Sequence, residues 1–524
     1  MIKRKYKYLI LIILVFSFIF SACNEQPEHL EYNITIKVIA EDTNEAVNEA
    51  ELKIENVDGN KITAKQTDEP GLYSFEKIKL EANADFQVEI NKEGYENKTL
   101  TFTADSTNIS LTGEEAIKLE VDDSDAPGDT EDFSGGSGTK EDPYLVENAA
   151  QLNNVRNYLE SHFKQVDDID LSDYSSGEGW KPIGEDFDNQ FVGSYDGGDF
   201  KIKNLYIDRR VNLGLFGKLN EGALIKNINL EDVNINGNSI IGGLVGRNNK
   251  SKIKNCSVTG EISGGVSDDI DRSKAHVGGL VGMNYKSNIY NCYTDADIFG
   301  DSKIGGLVGN DYGSDMINNV AAGNVTGEGN YIGGLIGDNS GTVSNTLKQS
   351  YASGDVSGDE NVGGLVGRSN YKKIEESFAI GAVSGNKNVG GLAGHIRQAK
   401  VKNSYSMGNV SGKINIGGFA GKLSGVINTE GLVKKSYSAG EVDGTSEVGG
   451  LIGFLEESSV VYSYYDKDNS GKDDTNKGIP KTTGELQEQE TFEEWDFEDI
   501  WDIEENESYP YLSWQENNKP YPSN

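Results

Sequence analysis

Proline, cysteine and histidine are all scarce in this 524-residue chain, at 9, 3 and 4 residues. So little proline excludes a collagen-like repeat and a Pro-rich linker array. Three cysteines cannot staple a disulfide scaffold. The histidines, His29, His162, His276 and His395, are followed by Leu30, Phe163, Val277 and Ile396. None opens an H-E-x-x-H pair, which excludes a zincin. Positive charge is short too: 48 Lys and Arg face 85 Asp and Glu, for a net charge of −37. Such a surface repels phosphate backbones and excludes nucleic acid as a partner. Only 36% of residues are hydrophobic, and long helical runs are missing. Glycine alone is in excess, at 64 residues, about 12% against a usual ~7%.

The N-terminus reads as an address. Lys3, Arg4, Lys5 and Lys7 precede the apolar run Leu9 to Phe20. As a helix that run would span about 18 Å, short of a ~30 Å hydrocarbon core. It is therefore a signal-peptide core rather than a membrane span. Ser21-Ala22-Cys23 resembles the bacterial lipobox. The resemblance implies cleavage before Cys23 and a lipid anchor on it, with several acyl chains giving stable attachment. Residues 1–22 are then the signal peptide and 23–32 a tether.

Residues 33–120 alternate with a period of two. Ile34, Ile36 and Val38, then Leu52 and Ile54, then Phe86, Val88 and Ile90 are separated by turns at Pro70-Gly71 and Gly94. The pattern predicts a β-sandwich. Asp68…Gly71-Leu72-Tyr73-Ser74-Phe75 and Lys92-Glu93-Gly94-Tyr95 resemble carboxypeptidase regulatory-like, or transthyretin-like, domains. That resemblance implies a spacer or binding module. Residues 121–140 are acidic and Gly-rich, a solvated linker.

Beyond the linker a tetrad G-[LF]-[FVIA]-G recurs nine times, first at Gly214, Gly243, Gly279 and Gly306. Further copies start at Gly334, Gly364, Gly391, Gly418 and Gly450, with a minimum spacing of 27 residues. Between tetrads runs a second phrase, clearest as Val401-Lys402-Asn403-Ser404-Tyr405-Ser406-Met407-Gly408-Asn409-Val410-Ser411-Gly412. A unit this short cannot bury its own core, but stacked units can. Short β runs closed by glycine predict a right-handed parallel β-helix of about nine coils over 214–453. A β-propeller needs blades of about 40–45 residues. Residues 141–213 read as an N-terminal cap with the first coils, and 454–524 as a C-terminal cap. These tetrads resemble the GLUG-repeat family. Membership would imply a bacterial surface or secreted β-helix, often in adhesin-like proteins and beside some peptidases, with no agreed catalytic residues.

Several positions are candidate sites. Ser257, Tyr293, Val320, Tyr351, Phe378, Tyr405 and Tyr437 share one register. If Tyr293, Tyr351, Phe378, Tyr405 and Tyr437 face outward they form a ligand platform for sugar rings or a partner; if inward, core. Asp466-x-Asp468-x-Ser470-Gly471 starts like a calcium loop, but Lys477 stands where its twelfth-position acid should be. An ordinary turn is the preferred reading. Apart from that, no cofactor or metal is expected. Asp268-Asp269-Ile270-Asp271-Arg272, with Asp295, Asp297 and Asp301 in the next repeat, offers carboxylates such as polysaccharide-degrading β-helices use; a solvated acidic loop is the simpler account. Cys256 and Cys292 share the register of Ser350, Ser377 and Ser404; stacking would bring them into disulfide range, while a reduced pair in a tight stack is the preferred reading. An amphipathic stretch from Ala149 to Leu159 should plug the first coil. Trp495, Phe497, Trp501, Tyr511 and Leu512 should close the last. Together these features point to a lipid-anchored envelope protein that displays its rod to a glycan or an extracellular protein. The alternative is a polysaccharide lyase or hydrolase on the same scaffold.

Overall fold

The computed structural model describes residues 29–40, 46–55, 60–81, 85–92, 98–103, 108–111, 117–119, 133–185, 189–264, 276–341, 345–425 and 431–515. Cys23 and the acidic insert at 268–272 lie outside the described residues. The chain forms two compact units, residues 1–128 and 129–524.

Among the described residues of the first unit, nine strands form two sheets around one core. His29–Ala40 pairs antiparallel with Leu72–Glu81 and parallel with Asn108–Leu111 and Ile117–Leu119. Glu51–Glu55 lies between Lys61–Thr63 and Asp85–Asn91 in the other sheet. Alternation does the work expected of it: Ile34, Ile36, Val38, Leu52, Ile54, Val88 and Ile90 are all buried in the shared core. Tyr73 pins the intervening loop, its hydroxyl donating to the Val47 carbonyl at 2.9 Å and accepting from the Ala50 N–H at 2.7 Å.

The second unit is a parallel β-solenoid of about ten turns across residues 162–465. One coil shows the plan. Lys387–Gly390 belongs to a first sheet and Ala393–Arg397 to a second, each of nine strands among the described residues. Lys400–Lys402 enters a third sheet of twelve strands. Tyr405–Ser406 and Val410–Ser411 form the two halves of a fourth.

The tetrad makes the corner between the first and second sheets. Its leucine or phenylalanine points into the core, and Leu335, Leu365, Leu392, Phe419 and Leu451 are completely buried. Its glycines are dictated by close approach: a Cβ on Gly364, Gly391 or Gly418 would fall on the carbonyl oxygen of the same glycine one coil further on. The bend between the halves of the fourth sheet repeats this logic at Gly381 and Gly408.

Polar ladders hold the other corners. Asn255, Asn291, Asn318 and Asn403 take positive φ, which asparagine tolerates well. Asn255, Asn291 and Asn318 each donate a side-chain amide to the residue one coil back, at 3.0, 3.1 and 3.2 Å. Next to them, the N–H groups of Ser350, Ser377 and Ser404 donate to the hydroxyls of Ser377, Ser404 and Ser436. Each of these hydroxyls donates in turn to the carbonyl two residues earlier. Cys256 and Cys292 occupy this register as free, buried thiols. Burial pushes the Cys292 thiol well up, which keeps it inert.

The two ends close differently. Ala149–Asn154 is a helix capped by Asn148, followed by a 3-10 turn Val155–Asn157. Leu152 and Val155 are fully buried in the solenoid core and Leu159 packs against it. At the far end the expectation fails. Residues 471–481 cover the last coil, not the tryptophans. Asp474 accepts from the Gly450 N–H at 3.1 Å, Lys477 donates to the Gly453 carbonyl at 2.5 Å, and Ile479–Lys481 pairs with Tyr464–Asp466.

Ser404→Ala removes one rung of the serine ladder and strands the Ser377 N–H, at a cost of about 1–3 kcal/mol. Gly391→Val forces the corner off the next coil and should cost at least as much. Urea unfolding followed by far-UV circular dichroism should place both midpoints below wild type.

Candidate functional site

The five ladder aromatics do lie in one register on the fourth sheet, along with Ser257, Val320 and Tyr464. From Tyr351 the rings stack in parallel, with centroids 4.7, 4.8 and 5.1 Å apart through Phe378, Tyr405 and Tyr437. They face outward from the coils, but Phe378, Tyr405 and Tyr437 have 0% exposure. The C-terminal segment lies over them. Tyr437 donates its hydroxyl to the Pro510 carbonyl at 2.7 Å, and the Gln515 amide donates to the Tyr405 hydroxyl at 2.8 Å. Trp514 donates to the Glu376 carbonyl at 3.1 Å and Trp495 to the Tyr462 carbonyl at 2.9 Å. Trp501, Phe492 and Leu512 complete this separate apolar cluster, with Phe497 partly buried at its edge. Burial raises the Tyr405 and Tyr437 hydroxyls above the usual phenol range. These three rings therefore cannot serve as a ligand platform. Tyr293, at 40% exposure, and the half-buried Tyr351 lie beyond most of the cover.

The calcium-loop residues are used internally. Asp466 is completely buried and caps a short helix, Lys467–Ser470. Its other oxygen accepts from the Tyr509 and Thr483 hydroxyls, both at 2.7 Å. Asp468 accepts from the Thr483 N–H at 3.0 Å, and Ser470 from the Lys472 N–H at 3.3 Å. Hydroxyl and amide donors surround Asp466, so this arrangement behaves as a tie between last coil and cover. No cluster of metal-ligating side chains occurs among the described residues.

A larger concave surface runs along the second half of the fourth sheet. It encloses about 460 Å³ over five consecutive coils, from Asn324 to Asp443. In each coil a buried valine (Val325, Val356, Val383, Val410, Val442) anchors the strand. The outward residue before it is Asn324, Asp355, Ala382, Asn409 or Glu441, and the one after it Thr326, Ser357, Ser384, Ser411 or Asp443. The first row is held by the backbone. Asn324, Asp355 and Asn409 each accept from the backbone N–H one coil further on, at 3.0, 2.8 and 3.0 Å. In the second row, Ser357 donates to Thr326 at 3.3 Å. The result is a trough that carries one hydroxyl or carboxylate per ~4.8 Å along the solenoid. Asp297, from the sequence-predicted acidic group, extends the first row by accepting from the Asn324 N–H. Asp301 sits apart at the corner and accepts from Ser302, while Asp295 lies beside Tyr293.

Sequence reading found the valine of each trough strand and passed over its neighbours. Their signal was present: a short polar residue flanks that valine on both sides in most copies.

A parallel β-solenoid with a lengthwise trough is the class of surface this chain presents. A profile described as the M26 IgA1-specific metallo-endopeptidase N-terminal region matches residues 152–260. A protein provisionally described as a Gly-rich membrane protein, from Evansella cellulosilytica, is 42% identical over 138 residues. Halomucin from Haloquadratum walsbyi is 33% identical over 135 residues. These matches cover about a quarter of this chain but only 16% and 1% of the relatives' own lengths. Among solved structures, a provisionally assigned immunoglobulin A1 protease from Bacteroides ovatus aligns at 20% identity. The alignment covers 73% of this chain and 96% of that one, with a TM-score of 0.33. An IgA1 protease aligns at 14% identity over 77% of this chain and 29% of its own, with a TM-score of 0.35.

Deleting residues 486–524 uncovers the stacked face from Phe378 to Tyr464 while residues 471–481 still close the last coil. Light scattering should then show the truncated chain self-associating, with increased binding of an apolar dye, and circular dichroism should show the solenoid retained.

Proposed function

We propose that this is a lipid-anchored bacterial envelope protein whose solenoid binds an extended glycan along the trough from Asn324 to Asp443. The observation that carries the reading is the repetition of hydroxyl, amide and carboxylate groups at one-coil spacing on a rigid surface of about 460 Å³. A linear polyhydroxylated chain can meet equivalent donors and acceptors in coil after coil. Backbone-held side chains such as Asn324 and Asn409 lose little entropy on binding. The lipobox-like Cys23 would anchor the chain at the membrane. The GLUG-like tetrads support an adhesive surface role, and the likeness to a protein described as a membrane protein supports a location at the envelope.

Catalysis is the weaker reading. Asp297 and Asp355 spend an oxygen each on a neighbouring coil's N–H. The profile likeness concerns an N-terminal region of peptidases, and no H-E-x-x-H pair stands in this chain.

Two measurements test the proposal. On a glycan array, wild type should retain a polymeric glycan. Ser384→Ala with Ser411→Ala should weaken retention about thirtyfold, as two hydrogen bonds of ~1 kcal/mol each imply; Tyr293→Ala should leave it unchanged. Equal binding by the serine variant would move the site elsewhere. Cys23→Ser should abolish palmitate labelling and release the protein from membranes, and unchanged retention would refute the lipid anchor.

A further inference from the structure

The second sheet hides a polar column inside the solenoid. Asn248, Asn284, Asp311, Asn339 and Ser369 occupy one inward register in successive coils, each with 0% exposure. The first members are well satisfied. Asn248 donates to Asn284 at 2.8 Å, and Asn284 donates to Asp311 at 2.7 Å and to the Ser287 carbonyl at 2.9 Å. Asn339 is different: neither its carboxamide oxygen nor its nitrogen has a hydrogen-bond partner.

A buried lysine comes from the next coil. Lys372 follows Ser369 in the next coil, is 3% exposed, and places Nζ 2.6 Å from Asp311 Oδ2. Asp311 and Asn339 are direct register partners, as are Asn339 and Ser369. The lysine therefore comes from the coil on one side of Asn339 and reaches the aspartate on the other side. Its stem must cross the coil that carries the orphaned carboxamide. Val308, Ile336 and Val366, buried on the same three strands, keep the surroundings apolar.

An amine, a carboxylate and an unpaired carboxamide, all shielded from water, are the reactants for an internal amide bond. We infer that Lys372 and Asn339 become covalently joined, with Asp311 as the catalytic proton carrier. Lys372 Nζ begins as an ammonium group and gives one proton to Asp311. Its lone pair then attacks Asn339 Cγ. A second Nζ proton passes to Nδ2 through the Asp311 carboxyl group. The Cγ–Nδ2 bond breaks and Nδ2 departs as ammonia, which takes up the first proton from Asp311 and leaves as ammonium. The product is a secondary amide between Nζ and Cγ, with Asp311 regenerated. No oxidant or reductant is involved. The bond would clamp two successive coils together and is independent of what the trough binds.

The test is peptide mapping by mass spectrometry on a protease digest of the full chain. The expected product is a branched peptide joining the Asn339 and Lys372 segments, lighter than their sum by one ammonia. Lys372→Arg and Asp311→Asn should each give linear peptides, and circular dichroism would confirm that Asp311→Asn still forms the solenoid. Linear peptides from folded wild type would overturn the inference. A branched peptide lighter by one water, joining Asp311 to Lys372, would overturn the assignment to Asn339. Cross-linking that persists in folded Asp311→Asn would refute the role of the aspartate.

Discussion

Every coil of the solenoid must offer its neighbours the same backbone at the same height, and this stacking requirement governs the rest of the molecule. Parallel strands in register put like on like: Leu on Leu at the tetrad corner, Val on Val beneath the trough, Ser on Ser beside the asparagine corner. Where the backbones come closest, at Gly364, Gly391 and Gly418, there is no room for a Cβ. A glycine content that would weaken an ordinary sheet is here the condition for packing.

Stacking also constrains charge. Identical acids one coil apart would repel, and this chain is strongly acidic. The solenoid answers by alternating charges between coils. Arg368 meets Asp338 at 2.7 Å, Lys348 meets Glu376 at 2.9 Å and Lys387 meets Glu360 at 2.9 Å, each one coil apart. Partly exposed pairs such as Lys387–Glu360 contribute little stability, about 0–1 kcal/mol each, but they relieve a repulsion that register would otherwise impose.

The sequence carried the coil period, the buried valines and the tetrad leucines, because apolar periodicity is the signal that burial leaves behind. It carried less wherever a distant segment decides. In the Tyr405–Ser406 strand the neighbours are small on both sides, so the local pattern could not say which way the ring points. What buries that ring is Gln515 and its surroundings, more than a hundred residues away. For the same reason Trp495 and Trp501 read as an end cap: composition shows that they cover something, not which surface. The trough was illegible because outward polar residues such as Ser384 and Asn409 resemble any solvated strand face. The buried Asn284–Asp311–Lys372 chain was missed because polar residues in a strand are ordinarily read as facing water.

If stacking fixes the trough, its recognition should be additive along the rod, since each coil repeats the backbone and much of the polar pattern of the last. The most direct measurement is a calorimetric titration of the intact protein with oligosaccharides of increasing length, drawn from whichever polymer the glycan array identifies. The account predicts affinity that rises with each added sugar until the five coils from Asn324 to Asp443 are spanned, and then levels off. Affinity that is independent of length, or set by one terminal sugar, would contradict it.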